Sequence, residues 1–210
     1  KKGTIKKTDL SEYSNPRRSG IWAISIDEGD ELLTCRMVRK EQQVMIFTRD
    51  GMAVRFPEAE VRGMGRTARG VRGVTLKDSE DHVVAMEAVD GTESVLIVCE
   101  QGYGKRSAVE EFRLTKRGGK GVRSIIVNER NGPVVGALCV TDEDSVLMMS
   151  HLGQTVRIPM SDVRVMGRST QGVRLANLKA DDDKLVSVQI VHPESEGEDG
   201  EAAEGPISDA

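Results

Sequence analysis

Two glycine positions recur together along this chain at a nearly constant spacing, and any fold must satisfy that period. The first aligns Gly3, Gly51, Gly102 and Gly153, in KKGTIKKT, FTRDGMAVRF, VCEQGYGKRS and MSHLGQTVRI, at intervals of 48, 51 and 51 residues. The second aligns Gly20, Gly70, Gly121 and Gly172, in RRSGI, TARGV, GGKGV and STQGV, at intervals of 50, 51 and 51. Two landmarks that hold one period through four copies define an internal repeat.

Within a copy the pattern is all-β. The runs VMIFT, SVLIVC and SVLMMS are short and apolar, as strands buried on both faces are. Each leads into the first glycine turn and a short strand such as AVRF or TVRI. A longer loop reaches the second glycine and a third strand (GVRGVTL, GVRSIIV, GVRLANL). A turn then precedes a fourth (VVAMEAV, PVVGALCV, LVSVQIV). Four strands in about fifty residues match one blade of a propeller-like array. A lone four-stranded sheet cannot bury both faces, so the blades must stack on one another. The first copy lacks the apolar strand that should precede Gly3, and the expectation is that the natural polypeptide extends further upstream.

Charge is unevenly distributed. Seven of the 34 acidic residues lie in 193–210, PESEGEDGEAAEGPISDA, which has no Lys or Arg. The remaining 27 face 30 Lys and Arg in residues 1–192. We therefore expect one β-domain over 1–192 and a disordered acidic tail over 193–210, able to compete with an anionic partner. Cys35, Cys99 and Cys139 lie far apart in or beside apolar segments, and are expected to be buried and reduced. No apolar run is long enough for a transmembrane helix, so no membrane partner is expected and the chain reads as cytoplasmic.

The basic residues follow the repeat. Four residues after the first glycine stand Lys7, Arg55, Arg106 and Arg157. Four before the second stand Arg66, Arg117 and Arg168, with Arg17 and Arg18 nearby in the first copy. Two after it come Arg72, Arg123 and Arg174, with Trp22 in the first copy; Arg69 and Lys120 precede it directly in two copies. In a radial array, equivalent positions fall at equivalent heights, so these cations form a stripe around one rim. A curved basic stripe suits the phosphates of bent duplex DNA. Aromatic content of 3% disfavours base stacking on single strands, and backbone binding without base readout fits better. The loop Thr115–Val122, TKRGGKGV, is the richest in cations. Lys116, Arg117 and Lys120 lie among Gly118, Gly119 and Gly121, which would let a phosphate approach backbone N–H donors. The bland alternative gives the repeated Arg residues to salt bridges between blades. A protein-interaction scaffold serving acidic partners is a second reading.

Other chemistry finds little support. TKRGGKGV lacks the spacing and the Ser/Thr of a Walker A loop, so no ATP site is expected here. His82, His151 and His192 sit in different copies without ligand spacing, and the acidic runs at 27–31 and 181–183 lack the EF-hand pattern, so no metal site is expected. Tyr13 and Tyr103 lack a catalytic context, and the chain itself reads as non-catalytic.

The stretches GTIKKTDL, DEGDELL, VRFPEAEVRGMGRTARGVRGVTL, GYGKRSAVEEF, KGVRSIIVNERNGPVVGA and SDVRVMGRSTQGV cover nearly all of residues 1–191. Together they resemble the C-terminal domain of the DNA gyrase A protein. The resemblance implies a β-pinwheel, a ring of usually six four-stranded blades that wraps duplex DNA around its basic edge. It begins at what looks like the third blade. It further implies a parent type IIA topoisomerase that introduces negative supercoils with ATP and Mg2+. That enzyme is a heterotetramer in which an N-terminal cleavage domain works with gyrase B, at the bacterial nucleoid. Thr115–Gly121 is similar to the family's Gln-Arg-Arg-Gly-Gly-Lys-Gly box, with Thr115 in place of Gln. It falls in the third copy present, whereas the family carries its box in the first blade. The related topoisomerase IV has a similar domain and is the alternative within this resemblance.

Overall fold

The structure, a computed structural model, describes residues 1–180 and 182–192; the expected acidic tail lies outside the described residues. The fold is all-β. β1 (Thr4–Ile5) follows Gly3, and β2 (Gln43–Thr48) and β3 (Met52–Pro57) form a hairpin about Gly51. β4 (Val71–Arg72) follows Gly70, and β5 (Val83–Val89) completes the second repeat. The third repeat supplies β6 (Ser94–Cys99), β7 (Tyr103–Ala108), β8 (Val122–Arg123) and β9 (Val134–Val140). The fourth supplies β10 (Ser145–Ser150), β11 (Thr155–Pro159), β12 (Val173–Arg174) and β13 (Leu185–Val191). In each repeat a single turn of 3-10 helix follows the first-glycine strand, at Leu10–Tyr13, Glu58–Glu60, Val109–Glu111 and Met160–Asp162.

The blades are not drawn from single repeats. One sheet runs β5-β2-β3-β8 and the next β9-β6-β7-β12, so each takes its outermost strand from the following repeat. β1 pairs with β4 by the same rule, while the last sheet, β13-β10-β11, has three strands. The exchanged strands are two residues long, shorter than the seven-residue runs in the sequence suggest. They are held by register pairs such as Met52 with Arg123 and Ala53 with Val122. Beyond them the chain docks through carbonyls: Ser124 and Ile125 N–H both donate to Gly51 O, and Leu175 and Ala176 N–H to Gly102 O. The second-marker glycine is the crossing point. Gly70 has φ 107°, and a Cβ there would sit 2.5 Å from Ile5 O, so the exchanged strand reaches its neighbour only because that atom is missing.

Sheet faces meet in three apolar layers, which is how single sheets without private cores become stable. Val44, Ile46, Val54 and Phe56 pack on Val74 and Val61 beside Ile5. Met45, Phe47 and Ala85 pack on Ile97, Val109 and Phe112, with the Phe47 and Phe112 rings edge to face at 6.2 Å. Leu96, Val98 and Leu138 pack on Val146, Met148 and Met160. The inner strands converge: β9 lies against both β5 and β13, and a Cβ on Gly136 of β9 would overlap Val188. The opposite, exchanged edges β4, β8 and β12 therefore face outward. No strand falls within the segment 14–41. Cys35 lies in it and is exposed, contrary to expectation, whereas Cys99 is buried and Cys139 half-buried.

Candidate nucleic-acid interface

The exchanged strands fix the outermost cations. In β4, β8 and β12 the Val turns inward and the following Arg turns outward, by the two-residue alternation of a strand. Arg72, Arg123 and Arg174 are accordingly exposed at equivalent points of successive outer edges, with Trp22, 79% exposed, in the same place in the first repeat.

The loops before these strands are linked end to end. Arg66 Nη1 donates to Trp22 O at 2.9 Å, Arg117 Nη1 to Arg72 O at 2.9 Å, and Arg168 Nη1 to Arg123 O at 3.1 Å. Each arginine thus reaches the outermost residue of the previous repeat, and the rim becomes one continuous line. Arg117 also donates to Glu60 O through Nε, and all three arginines are half-buried. Main-chain bonds repeat the link: Thr75 N–H donates to Gly119 O and Ile126 N–H to Thr170 O. Lysines brace two of the loops from beneath. Lys6 Nζ donates to Ala23 O at 2.7 Å and also to Arg66 O, and Lys105 Nζ donates to Gly167 O at 2.8 Å.

The cations four residues after the first glycine are built differently. Lys7 reaches Glu58 O and its carboxylate; Arg55 Nη1 donates to Val109 O and Phe112 O, both at 2.9 Å. Arg106, 6% exposed, donates to Ser94 Oγ, Asp142 and Met160 O. All three reach the 3-10 turn of the next repeat. Arg106 therefore has no free face, and Lys7 and Arg55 direct donors at carbonyls of the next repeat rather than outward. Arg157, in the last repeat, is exposed.

In TKRGGKGV, Lys116, Gly119 and Lys120 are exposed, and a Cβ on Gly119 would make only ordinary contacts, with Gly121 N at 3.9 Å and Lys116 O at 4.0 Å. The expected row of free N–H donors is shorter than the sequence implies, because Gly118 N–H donates to Gly73 O at 2.6 Å. Gly121 meets the neighbouring strand rather than solvent. Arg17 and Arg18 are exposed, and Arg69 is exposed but pairs with Asp27 at 2.9 Å. A fourth row lies outside the sequence expectations: Arg62, Arg113 and Arg164, eleven residues after Gly51, Gly102 and Gly153, are all exposed. Their 51-residue spacing is the signal that could have found them. Among the described residues, none of Arg62, Arg72, Arg113, Lys116, Lys120, Arg123 and Arg164 has an ion-pair partner.

Lys105 is fully buried, and burial, then the Arg168 charge, bring its pKa from 10.5 down to about 8. Below pH 8 it is protonated folded and unfolded, and the full burial cost is present. Between about 8 and 10.5 only the unfolded chain holds the proton, so stability rises with pH across that window. Lys105→Met removes this dependence. Its stability relative to the native protein should be about 2 kcal/mol more favourable at pH 7 than at pH 10.5, read from urea unfolding at both pH values. An equal difference at both would mean that Lys105 carries no buried charge.

No helix among the described residues is long and apolar enough to cross a membrane. Comparison with known proteins agrees with the repeat. A family model described as DNA gyrase C-terminal domain, beta-propeller, matches residues 1–39, 42–90, 93–141 and 144–192, one match per repeat. The DNA gyrase A protein of Chlamydia pneumoniae is 63% identical over 190 residues, 90% of this chain and 23% of that protein. That of Klebsiella oxytoca is 44% identical over 97% of this chain and 24% of the relative. The chain thus spans about a quarter of the length of these relatives. A solved DNA gyrase A C-terminal domain superposes with a TM-score of 0.79 at 29% identity, over 90% of this chain and 62% of the other. The C-terminal domain of a DNA topoisomerase IV shares the fold, with a TM-score of 0.84 at 24% identity, over 90% of this chain and 59% of the other. With its four repeats each matched by that model, the chain belongs to the DNA gyrase C-terminal domain family.

Proposed function

We propose that this chain binds duplex DNA along its outer rim and bends it, largely without regard to sequence, as the wrapping domain of a gyrase A protein. The observation that carries the reading is the line of exposed arginines on successive exchanged strands, without ion-pair partners among the described residues and joined loop to loop by Arg66, Arg117 and Arg168. Backbone phosphates need regularly spaced positive charge and no base contacts. The rim offers exposed Arg and Lys side chains and few flat aromatic platforms, which favours duplex over single strands. In the parent heterotetramer, bent DNA held here would be delivered to the cleavage domain of gyrase A. Gyrase B would supply ATP- and Mg2+-driven strand passage, and negative supercoiling would follow, in the bacterial cytoplasm at the nucleoid. The chain's own role in this scheme is binding and bending.

Counterion release gives the test. Each phosphate neutralised contributes about −0.9 to the slope of log K against log salt, and a rim making about 4–8 contacts gives a slope of about −4 to −7. Fluorescence titration of Trp22, the single tryptophan, with linear duplexes of unrelated sequence measures it. A salt-independent affinity, or no binding at low salt, would favour a protein-interaction scaffold instead.

A further inference from the structure

The third blade carries a cluster that the periodic rows do not explain. Tyr103, at the start of β7, is 6% exposed, and two guanidinium groups lie over its ring. The Arg130 carbon is 4.7 Å from the ring centroid and the Arg174 carbon 4.8 Å. Arg174 also donates to the Tyr103 hydroxyl through Nη2 and to Asn177 Oδ1 at 3.3 Å. Both arginines are exposed at residue level, and neither has a carboxylate partner among the described residues. Arg174 comes from β12, the strand exchanged from the fourth repeat, and Arg130 from the turn before β9 of the third. Thr4, Met52 and Gln154 stand where Tyr103 does in the other repeats, so the arrangement is confined to this blade.

We propose that Arg130 and Arg174, ordered by stacking on Tyr103, form a phosphate-binding clamp at the outer edge of the third blade. Two like charges held against one ring repel each other, and an anion that accepts from both relieves that repulsion. Each guanidinium has five N–H donors, so those of Arg174 not given to the Tyr103 hydroxyl and Asn177, and those of Arg130, can be offered to phosphate oxygens. The ring also fixes both side chains beforehand, so less freedom is lost on binding. Hydrogen bonding from Arg130 and then Arg174 holds the Tyr103 hydroxyl below its ordinary pKa, so the phenol senses the two charges directly. The ligand is a phosphodiester of duplex DNA, and in that respect the clamp rests on the function proposed above. It adds Arg130 and Tyr103, which follow no repeat position, to that surface.

The experiment measures duplex affinity against salt for the native chain, Arg130→Gln, Arg130→Lys and Tyr103→Phe, with 13C-tyrosine NMR following the Tyr103 phenol. Arg130→Gln should weaken binding about fivefold to tenfold at about 0.1 M salt and reduce the slope by about 0.9. Arg130→Lys should recover the slope but not the full affinity, because an ammonium cannot make the paired contact. Tyr103→Phe keeps the ring and should lose less than about twofold. Saturating duplex should move the phenol's titration upward in the native chain and less in Arg130→Gln. If the native chain binds duplex and Arg130→Gln matches it in affinity and slope, the clamp is wrong and the rim reading stands. If the native chain binds no duplex, both fail. If inorganic phosphate alone moves the phenol while duplex does not, the site holds free phosphate, and the assignment to DNA is overturned.

Discussion

Gly121→Ala should destabilise the chain by about 3 kcal/mol or more, the largest effect expected of a single methyl group here. Gly121 has φ 74°, and a Cβ there would overlap the Ala53 carbonyl oxygen and crowd Val54 N. Both obstacles are backbone of a central strand in a packed sheet, so neither can rotate away. Relief requires β8 to move off β3. That would surrender the Ser124 and Ile125 donations to Gly51 O and the Thr115 donation to Arg55 O. It would also open the layer where Ile125 packs against Met45 and Phe47. Gly20→Ala is the control. Gly20 has a similar φ of 81° but nothing within 4 Å, so the substitution carries only the left-handed backbone cost, about 1 kcal/mol. Urea unfolding of both variants reads the difference. Equal midpoints would show that the exchanged strand is not held at this crossing.

The contrast shows which parts of the molecule are readable from sequence. The long strands are, since runs such as SVLIVC and VVAMEAV coincide with β6 and β5. The exchange of strands between repeats is not. The repeat period is unchanged by a one-blade shift of pairing, and main-chain hydrogen bonds leave no mark in residue type. The two roles of the arginines are hidden for the same reason. Arg55 and Arg72 look alike in sequence, yet one satisfies carbonyls of the next blade and the other points outward. Arg62, Arg113 and Arg164 are legible by spacing alone, but no glycine adjoins all three to draw attention to the row. Arg130 is beyond reach: its partner Tyr103 is 27 residues away in sequence and absent from the other repeats.

Replacing Arg72, Lys116, Lys120 and Arg123 together with Gln should lower duplex affinity about a thousandfold at about 0.1 M salt and remove about 3.6 from the salt slope. These four are exposed and, among the described residues, their side chains make no hydrogen bond or ion pair, so the fold should survive. Arg117 is left intact although it sits in the same box-like loop. Its two 2.9 Å bonds to Glu60 O and Arg72 O position that loop, and removing it would confuse loss of charge with loss of structure. Arg106→Met should behave in the opposite way. It removes a buried guanidinium that holds Met160 O and Ser94 Oγ, and should cost about 2–3 kcal/mol of stability. Yet at temperatures where the variant stays folded, its slope should match that of the native chain. Charge removed from the surface changes counterion release, whereas charge removed from beneath it changes only the fold. A slope that fell equally for Arg106→Met and for the surface set would mean that the buried row reaches phosphate after all, and that the division into outward and inward cations is wrong.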